Sequence, residues 1–105
     1  MGLVYRARGR DGREVALKVM NTPRNEELRS RFFREARVVA RLSHPSAVPL
    51  FDYGQDDDGL LYMVLELIRG ETLRDVVRTE APMAPARAAR LTLQILGALV
   101  EAHQI

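Results

Sequence analysis

The chain has 105 residues, a formal net charge of +2 and no cysteine. That length suits one small domain, and the missing cysteines exclude a disulfide framework and a cysteine-based zinc site. The cationic residues are dispersed, so nucleic-acid binding is not expected, and no apolar run is long enough to span a membrane. The N-terminus does not resemble a signal peptide, and the expected compartment is therefore the cytoplasm.

Two β-prone runs, residues 3–7 and 15–20, open the chain. Between them, residues 9–12 end in Asp11-Gly12, a pair that tolerates the backbone of a tight turn. This pattern predicts a β-hairpin. Its second strand contains Lys18, the only lysine among sixteen cationic residues; the other fifteen are arginine. Because lysine carries a compact point charge and arginine a planar fork, this exception suggests a site that requires an ammonium group.

A long amphipathic helix is predicted from about residue 25 to residue 42. Asn25 is a suitable N-cap, and Glu26 and Glu27 place negative charge in the first turn. The helix is expected to end before His44-Pro45, because a residue that precedes proline avoids the helical region. The apolar stripe that repeats at three- and four-residue spacing consists of Leu28, Phe32, Ala36, Val39 and Ala40.

Two further strands are predicted at residues 47–53 and 60–66, joined by an exposed loop at residues 54–59. Arg69-Gly70 then breaks the strand pattern. Thr72 can cap a short helix that runs to about residue 78, and residues 82–85 form a loop before the last helix at residues 86–103.

The last helix is apolar around nearly its whole circumference in the central turns. A helix of that kind is normally buried on more than one side, and the preceding small sheet and single helix offer too little surface to cover it. Either the chain oligomerises through this helix, or further polypeptide follows Ile105; we favour the second.

Strand alternation puts Lys18 on a face shared with Ala16 and Met20, where an unpaired ammonium is costly. Glu35 lies three residues after Phe32, within the apolar stripe of the long helix, and is a possible partner. The alternative is that Lys18 extends to solvent while Glu35 lies at the edge of the stripe. From the residues alone, the two readings are about equally good.

Several segments in order resemble eukaryotic-like (Hanks-type) serine/threonine protein kinases of the bacterial style. Val15-Ala16-Leu17-Lys18 resembles the family's Val-Ala-Ile-Lys strand, and Met1-Gly2-Leu3-Val4-Tyr5 resembles the end of its glycine-rich loop. The segment 31–36 resembles helix αC, and the segment 44–48 the loop entering the fourth strand. The segment 62–73 resembles the fifth strand, the hinge and the start of αD; residues 99–105 resemble the end of αE. Each motif alone is weak, but six at family-like spacings are specific.

The resemblance implies an α+β fold: the antiparallel sheet of a kinase N-lobe, lacking its first strand, with αC, followed by the hinge, αD and αE. It also implies two parts, a partial N-lobe at residues 1–68 and the start of a C-lobe at residues 69–105. ATP is the implied cofactor. Lys18 would hold its α- and β-phosphates and pair with Glu35. The residues implied in nucleotide binding are Gly2, Val4, Ala16, Lys18, Leu65 at the gatekeeper position, and the backbone of Glu66 and Ile68.

Other parts of the family pattern are not found in this sequence. The catalytic aspartate and the magnesium ligands belong to H-R-D-x-x-x-x-N and D-F-G motifs, and no Asp or Asn follows Asp75. Both ends therefore look like cuts within a larger domain. The expected function is that of a fragment of an ATP–magnesium-dependent kinase that phosphorylates protein hydroxyls, and the fragment itself is expected to be inactive.

Two other hypotheses remain. The chain could be a truncated, non-catalytic kinase-like module that binds partner proteins through αC or the last helix. It could also be an unrelated small α+β binding domain, which would make the Lys18–Glu35 arrangement accidental. The oligomeric state is not predicted.

Overall fold

The computed structural model describes residues 2–21 and 25–105. The elements follow the predicted order, with four strands, β1 (Gly2–Arg8), β2 (Glu14–Met20), β3 (Leu50–Gln55) and β4 (Leu61–Glu66), and three helices, α1 (Glu26–Arg41), α2 (Leu73–Glu80) and α3 (Pro85–His103). Met1, which begins the glycine-loop resemblance, and Thr22 and Pro23, which follow the second predicted strand, lie outside the described residues.

The four strands form one antiparallel sheet in the order β1-β2-β4-β3. The predicted hairpin between β1 and β2 is confirmed. Gly12 has φ of +83°, and the Asp11 side chain accepts a hydrogen bond from the backbone N–H of Arg13 at 2.9 Å. An L-residue with a side chain rarely adopts that φ, so glycine is needed at this position of the turn.

Helix α1 packs on one face of the sheet and supplies two of the four buried apolar residues found in the described part of the chain. Its N-cap is Asn25, as predicted, whose side chain accepts from the N–H of Leu28 at 3.0 Å. Phe32 and Ala36 are buried on the side of α1 that meets Leu61 of β4, which is 1% exposed. Of the predicted apolar stripe, Phe32 and Ala36 are buried and Val39 is half-buried, whereas Leu28 and Ala40 are exposed.

Strand β3 differs from its predicted bounds of 47–53. Residues 45–47 form a turn, in which the N–H of Ala47 donates to the carbonyl of His44 at 3.0 Å. Pro49 has no N–H to donate to a strand ladder, so the strand begins after it, at Leu50. At the other end, Gly54 and Gln55 belong to β3 and not to the predicted loop.

The strand β3 extends two residues beyond its predicted end because a glycine leaves room for a neighbouring ring. A Cβ at Gly54 would lie 2.9 Å from the hydroxyl oxygen of Tyr62, its cross-strand partner. Glycine thus lets the Tyr62 ring lie over the backbone of β3, and the ladder continues as far as Gln55. The hairpin loop is correspondingly short and is closed by Asp56, whose side chain accepts from the N–H groups of Asp58 and Leu60.

Helices α2 and α3 follow the sheet. Thr72 caps α2 as predicted, accepting from the N–H of Asp75 at 3.1 Å. Arg87, in the first turn of α3, donates to the carboxylate of Glu80 at the end of α2 at 2.9 Å. This hydrogen bond and the adjacent negative charge raise the pKa of Arg87 above its ordinary value.

Helix α3 meets the loop after α1 at two points. Both the N–H and the hydroxyl of Ser43 donate to Glu101, at 2.8 and 3.1 Å. One turn earlier, a Cβ at Gly97 would lie 2.7 Å from Nε2 of His44, so glycine permits this close approach. His44 also accepts from the N–H of Ser46 through Nδ1 at 3.0 Å, so its ring organises the loop after α1.

Much of the apolar surface of α3 is exposed, as its sequence pattern suggested. Leu93 is 67% exposed and Val100 is 58% exposed, and Ile95, Leu96 and Leu99 are each about half exposed. In the described segments, no helix is both long enough and apolar enough to cross a bilayer.

Candidate functional site

The predicted site residues of the sheet lie together on the face that α1 covers. Val4 is opposite Lys18, and Lys18 is opposite Met63. Ala16, two residues before Lys18 on β2, is opposite Leu65. Directly paired residues of antiparallel strands point to the same face, so the four predicted residues Val4, Ala16, Lys18 and Leu65 share one surface.

A cavity of about 340 Å³ opens between this face and α1. Lys18 is half-buried there, and Glu35 approaches from the helix. The remaining lining residues are Met20, Leu28, Arg31, Phe32, Leu61 and Met63. Apart from three charged groups the wall is apolar, and Val4, Ala16 and Leu65 lie on the same face of the sheet outside this cavity.

The structure brings Lys18 and Glu35 to one cavity but does not pair them. Glu35 instead accepts a hydrogen bond from Nε of Arg31 at 3.0 Å, one turn earlier on α1. Its side chain is 61% exposed, and no ion pair of Lys18 is found among the described residues. The expected ion pair is thus not formed in this conformation, because a cation on the same helix turn already occupies the carboxylate.

Gly2 lies at the start of β1, opposite Met20. A Cβ on this residue would collide with the backbone carbonyl of Val19 and lie 2.9 Å from Cγ of Met20. Close packing against β2 therefore requires glycine here, whether or not a ligand also approaches this backbone.

The segment after β4 lies beside the loop that leads into β3, and Glu66 and Ile68 line a pocket with that loop. The N–H of Glu66 donates to the carbonyl of Pro49 at 3.0 Å, which ties the end of β4 to the residue before β3. Ile68 follows and is 61% exposed. Within the described part of the chain its N–H has no backbone or side-chain acceptor, so the group is available to a ligand.

Two charged residues that the sequence reading did not assign to the site are part of its surroundings. Arg31 holds Glu35, and the four-residue spacing of the two on one helix was a visible signal for this contact. Glu14 lies on the same face as Ala16 and Lys18 by strand alternation, and it contacts arginines at the open end of the cleft. No group of three or more His, Asp or Glu side chains in residues 2–21 and 25–105 is arranged to hold a metal ion.

An antiparallel sheet covered by one helix, with a lysine in the cleft between them and an extended segment leading to further helices, has the architecture of a protein kinase N-lobe. The sequence profile described as protein kinase domain matches residues 1–105. The chain therefore belongs to the protein kinase family.

Two of the proteins to which the chain is similar are bacterial kinases. The chain is 42% identical over 106 residues to the serine/threonine-protein kinase PknE of Mycobacterium tuberculosis, and 37% identical over 106 residues to the serine/threonine-protein kinase pkn3 of Myxococcus xanthus. Each match covers 98% of this chain and 19% of the relative. The chain thus spans about a fifth of the length of these curated relatives.

A solved structure gives the same result for the fold. The crystal structure of the Mycobacterium tuberculosis PknI kinase domain superposes with a TM-score of 0.82 at 30% identity. The match covers 99% of this chain and 43% of that domain's chain. The resemblance read from the sequence is confirmed: the chain has the α+β fold of a kinase N-lobe and is similar to Hanks-type serine/threonine kinases of bacteria.

Proposed function

We propose that this chain is the nucleotide-binding part of a protein kinase that transfers phosphate from ATP to protein serine or threonine hydroxyls. The observation that carries the proposal is the position of Lys18. It is half-buried in a mostly apolar cleft, on the same face as Val4 and Ala16, with no anion paired to it in the described residues. An ammonium in such a place gains most from an anionic ligand.

ATP fits the groups that line this face. Lys18 would contact the α- and β-phosphates, as lysine on the corresponding strand does in this family. Val4 and Ala16 offer apolar surface to one side of the adenine, and Leu65 closes the back of the pocket. The exposed N–H of Ile68 would donate to the adenine edge, and the carbonyl of Glu66 would accept from it. Gly2 would let the β1 backbone approach the phosphates.

Glu35 would act on Lys18 and not on the nucleotide. In the nucleotide-bound state we expect it to leave Arg31 and pair with the Lys18 ammonium, which then points at the phosphates. Lys18 and Glu35 already line the same cavity. The Glu35 carboxylate therefore has only to change its partner from Arg31 to Lys18, and the backbone fold need not change.

We place the boundary between the two lobes after residue 68, so that residues 1–68 hold the nucleotide and residues 69–105 begin the second lobe. Magnesium, where bound with ATP, would neutralise negative charge on the phosphates. Its protein ligands and the catalytic base belong to motifs not present in this sequence. The chain alone is therefore expected to bind ATP weakly and to transfer no phosphate.

The test is a two-part assay on the purified chain. Nuclear magnetic resonance titration with ATP and magnesium should shift the backbone signals of Ile68 and the side-chain signals of Lys18, and Lys18→Met should remove the response to the phosphates. Incubation with γ-labelled ATP and a general protein substrate should give no labelled protein. Transfer by the chain alone would refute its inactivity, and an absence of shifts at millimolar ATP would count against the nucleotide site.

A second candidate function is supported by one observation, the exposed apolar surface of α3. A non-catalytic, kinase-like module that binds a partner protein through this helix would account for that surface. It would not need Lys18. Partner binding that survives Lys18→Met, together with an absence of ATP binding, would favour this candidate over the first.

A further inference from the structure

Glu14 occupies the first position of β2, at the open end of the proposed nucleotide cleft. Strand alternation puts it on the same face as Ala16 and Lys18. The pairing of Val15 with Glu66 places it next to the end of β4, where the chain leaves the sheet. A carboxylate here is therefore beside the segment 67–71, which we call the hinge segment.

Three arginines converge on this carboxylate. Nη2 of Arg69, in the hinge segment, lies 3.2 Å from Oε1 of Glu14. Arg8 and Arg6 on β1 lie 3.6 Å from Oε1 and 3.4 Å from Oε2. The Glu14 side chain is 30% exposed, whereas each arginine side chain is 65–70% exposed. The acid is thus partly shielded, and the cations surround it from the solvent side.

The contact with Arg69 differs from the other two because it crosses between separate parts of the chain. Arg6 and Arg8 belong to a strand that already pairs with β2 along its length. The hinge segment has no such support. Among the described residues, backbone hydrogen bonds are found at Glu66 before it and at the cap of α2 after it, and none within it.

Support of the hinge segment matters for the function proposed above, on which this inference rests. Arg69 directly follows Ile68, whose N–H is the proposed donor to adenine. A free segment could present that N–H in many directions, whereas an attached one presents it in few, and ordering a donor before binding reduces the entropic cost of binding.

We propose that Glu14 is a positioning residue, which attaches the hinge segment to the sheet through Arg69 and so orients the Ile68 N–H at the adenine edge. The attachment is electrostatic and mostly solvent-exposed. It is therefore sensitive to salt, since the screening length falls from about 10 Å at 0.1 M salt to about 3 Å at 1 M.

Backbone ¹⁵N relaxation of the 105-residue chain, without nucleotide, tests the proposal directly, because it reports how freely each N–H changes direction even where the amide has no acceptor. In the parent chain the order parameters of amides 67–71 should be near the rigid value of about 0.85, and Glu14→Gln and Arg69→Gln should each lower them toward about 0.6. The double variant should be no more mobile than either single variant, because both remove the same contact. Arg69→Lys keeps the charge and should restore most of the order.

Arg8→Gln is the matched control. It removes a cation from the same carboxylate but none from the hinge segment, so amides 67–71 should keep the parent order parameters. Addition of 1 M sodium chloride should lower the order parameters of these amides in the parent chain and leave them unchanged in Arg69→Gln. The urea midpoint of unfolding should be similar in all variants.

Parent-like order parameters at residues 67–71 in both Gln variants would overturn the proposal, as would an equal effect of Arg8→Gln. Because the measurement uses no ATP, it stands apart from the test of nucleotide binding. A chain that fails to bind ATP can still show the attached hinge segment, and a chain that binds ATP can fail to show it.

Discussion

Glu35 accepts a hydrogen bond from Nε of Arg31 at 3.0 Å while Lys18 lines the same cavity without an ion-pair partner in the described chain. Arg31 and Glu35 are four residues apart on α1, where side chains of opposite charge meet readily. The carboxylate that the family pattern assigns to Lys18 is therefore held by a cation of its own helix. Arg31 and Lys18 compete for one acid.

Removal of Arg31 should release Glu35 to Lys18. Exposed helix pairs at this spacing are worth about 0.3–0.5 kcal/mol, so Arg31→Gln should strengthen ATP binding about twofold if the two cations compete. Titration of the parent and the variant with ATP and magnesium measures the change. Arg37→Gln, which removes an arginine of the same helix that does not contact Glu35, should leave the affinity unchanged. A loss of affinity in Arg31→Gln would show that Arg31 itself contacts the nucleotide.

Lys18→Met should abolish ATP binding without lowering the stability of the fold. The ammonium is half-buried beside Met20 and Met63, and an apolar side chain of similar length suits that surface at least as well. Replacing a buried charge with a packed apolar group is often neutral or stabilising. We expect urea unfolding with an unchanged or higher midpoint, together with loss of the ATP response. A clear drop in the midpoint would mean that Lys18 has a stabilising partner in solution.

The helices and strands could be predicted from the sequence because the residues that begin, end and orient each element lie close together in the chain. The caps at Asn25 and Thr72, the turn at Gly12 and the packing stripe on α1 each depend on residues within a turn or two. The start of β3 was missed because Val48 and its neighbours have β propensity, whereas the turn after His44 and the missing donor of Pro49 decide the boundary.

Contacts between distant elements were harder to foresee. Alternation and helical spacing put Lys18 and Glu35 at one cavity, but they do not say which cation a carboxylate selects. The Glu14–Arg69 contact joins positions 55 residues apart, through the pairing of β2 with β4. Strand order sets such contacts, and a single sequence gives it only by resemblance to a known fold.

The small core makes the chain sensitive to truncation of Phe32. That ring is 5% exposed and meets the ring of Phe33 edge-on at 5.3 Å between centroids. Phe32→Ala should cost about 3–5 kcal/mol of unfolding free energy, which is a large part of the stability of a small domain. Urea denaturation followed by circular dichroism gives the value. Leu28→Ala, on the same helix but 42% exposed, should cost much less. Equal losses would contradict the burial of Phe32.

The two hydrogen bonds from Ser43 to Glu101 should hold α3 against the loop after α1. Glu101→Ala removes the one oxygen, Oε1, that accepts both hydrogen bonds, so amides of α3 should exchange faster while those of β2 and β4 keep their rates. Glu101→Gln retains a carbonyl acceptor in place of the carboxylate and should lie between the parent and the alanine variant. Hydrogen exchange read by mass spectrometry distinguishes the two regions. Uniform acceleration in both would mean that α3 and the sheet unfold together.

The exposed apolar face of α3 should control self-association of the isolated chain. Leu93 and Val100 lie seven residues apart, hence on one side of the helix, and are its two most exposed large apolar residues. Substitution of both by glutamate should lower self-association at micromolar concentration and reduce binding of a hydrophobic dye, because it breaks a continuous apolar patch. Gln94→Glu adds charge to the same helix without removing apolar area and is the control. Sedimentation velocity measures the association. If the double variant associates as strongly as the parent, another surface is responsible, and the exposed β1 residues Leu3 and Tyr5 are then the next to test.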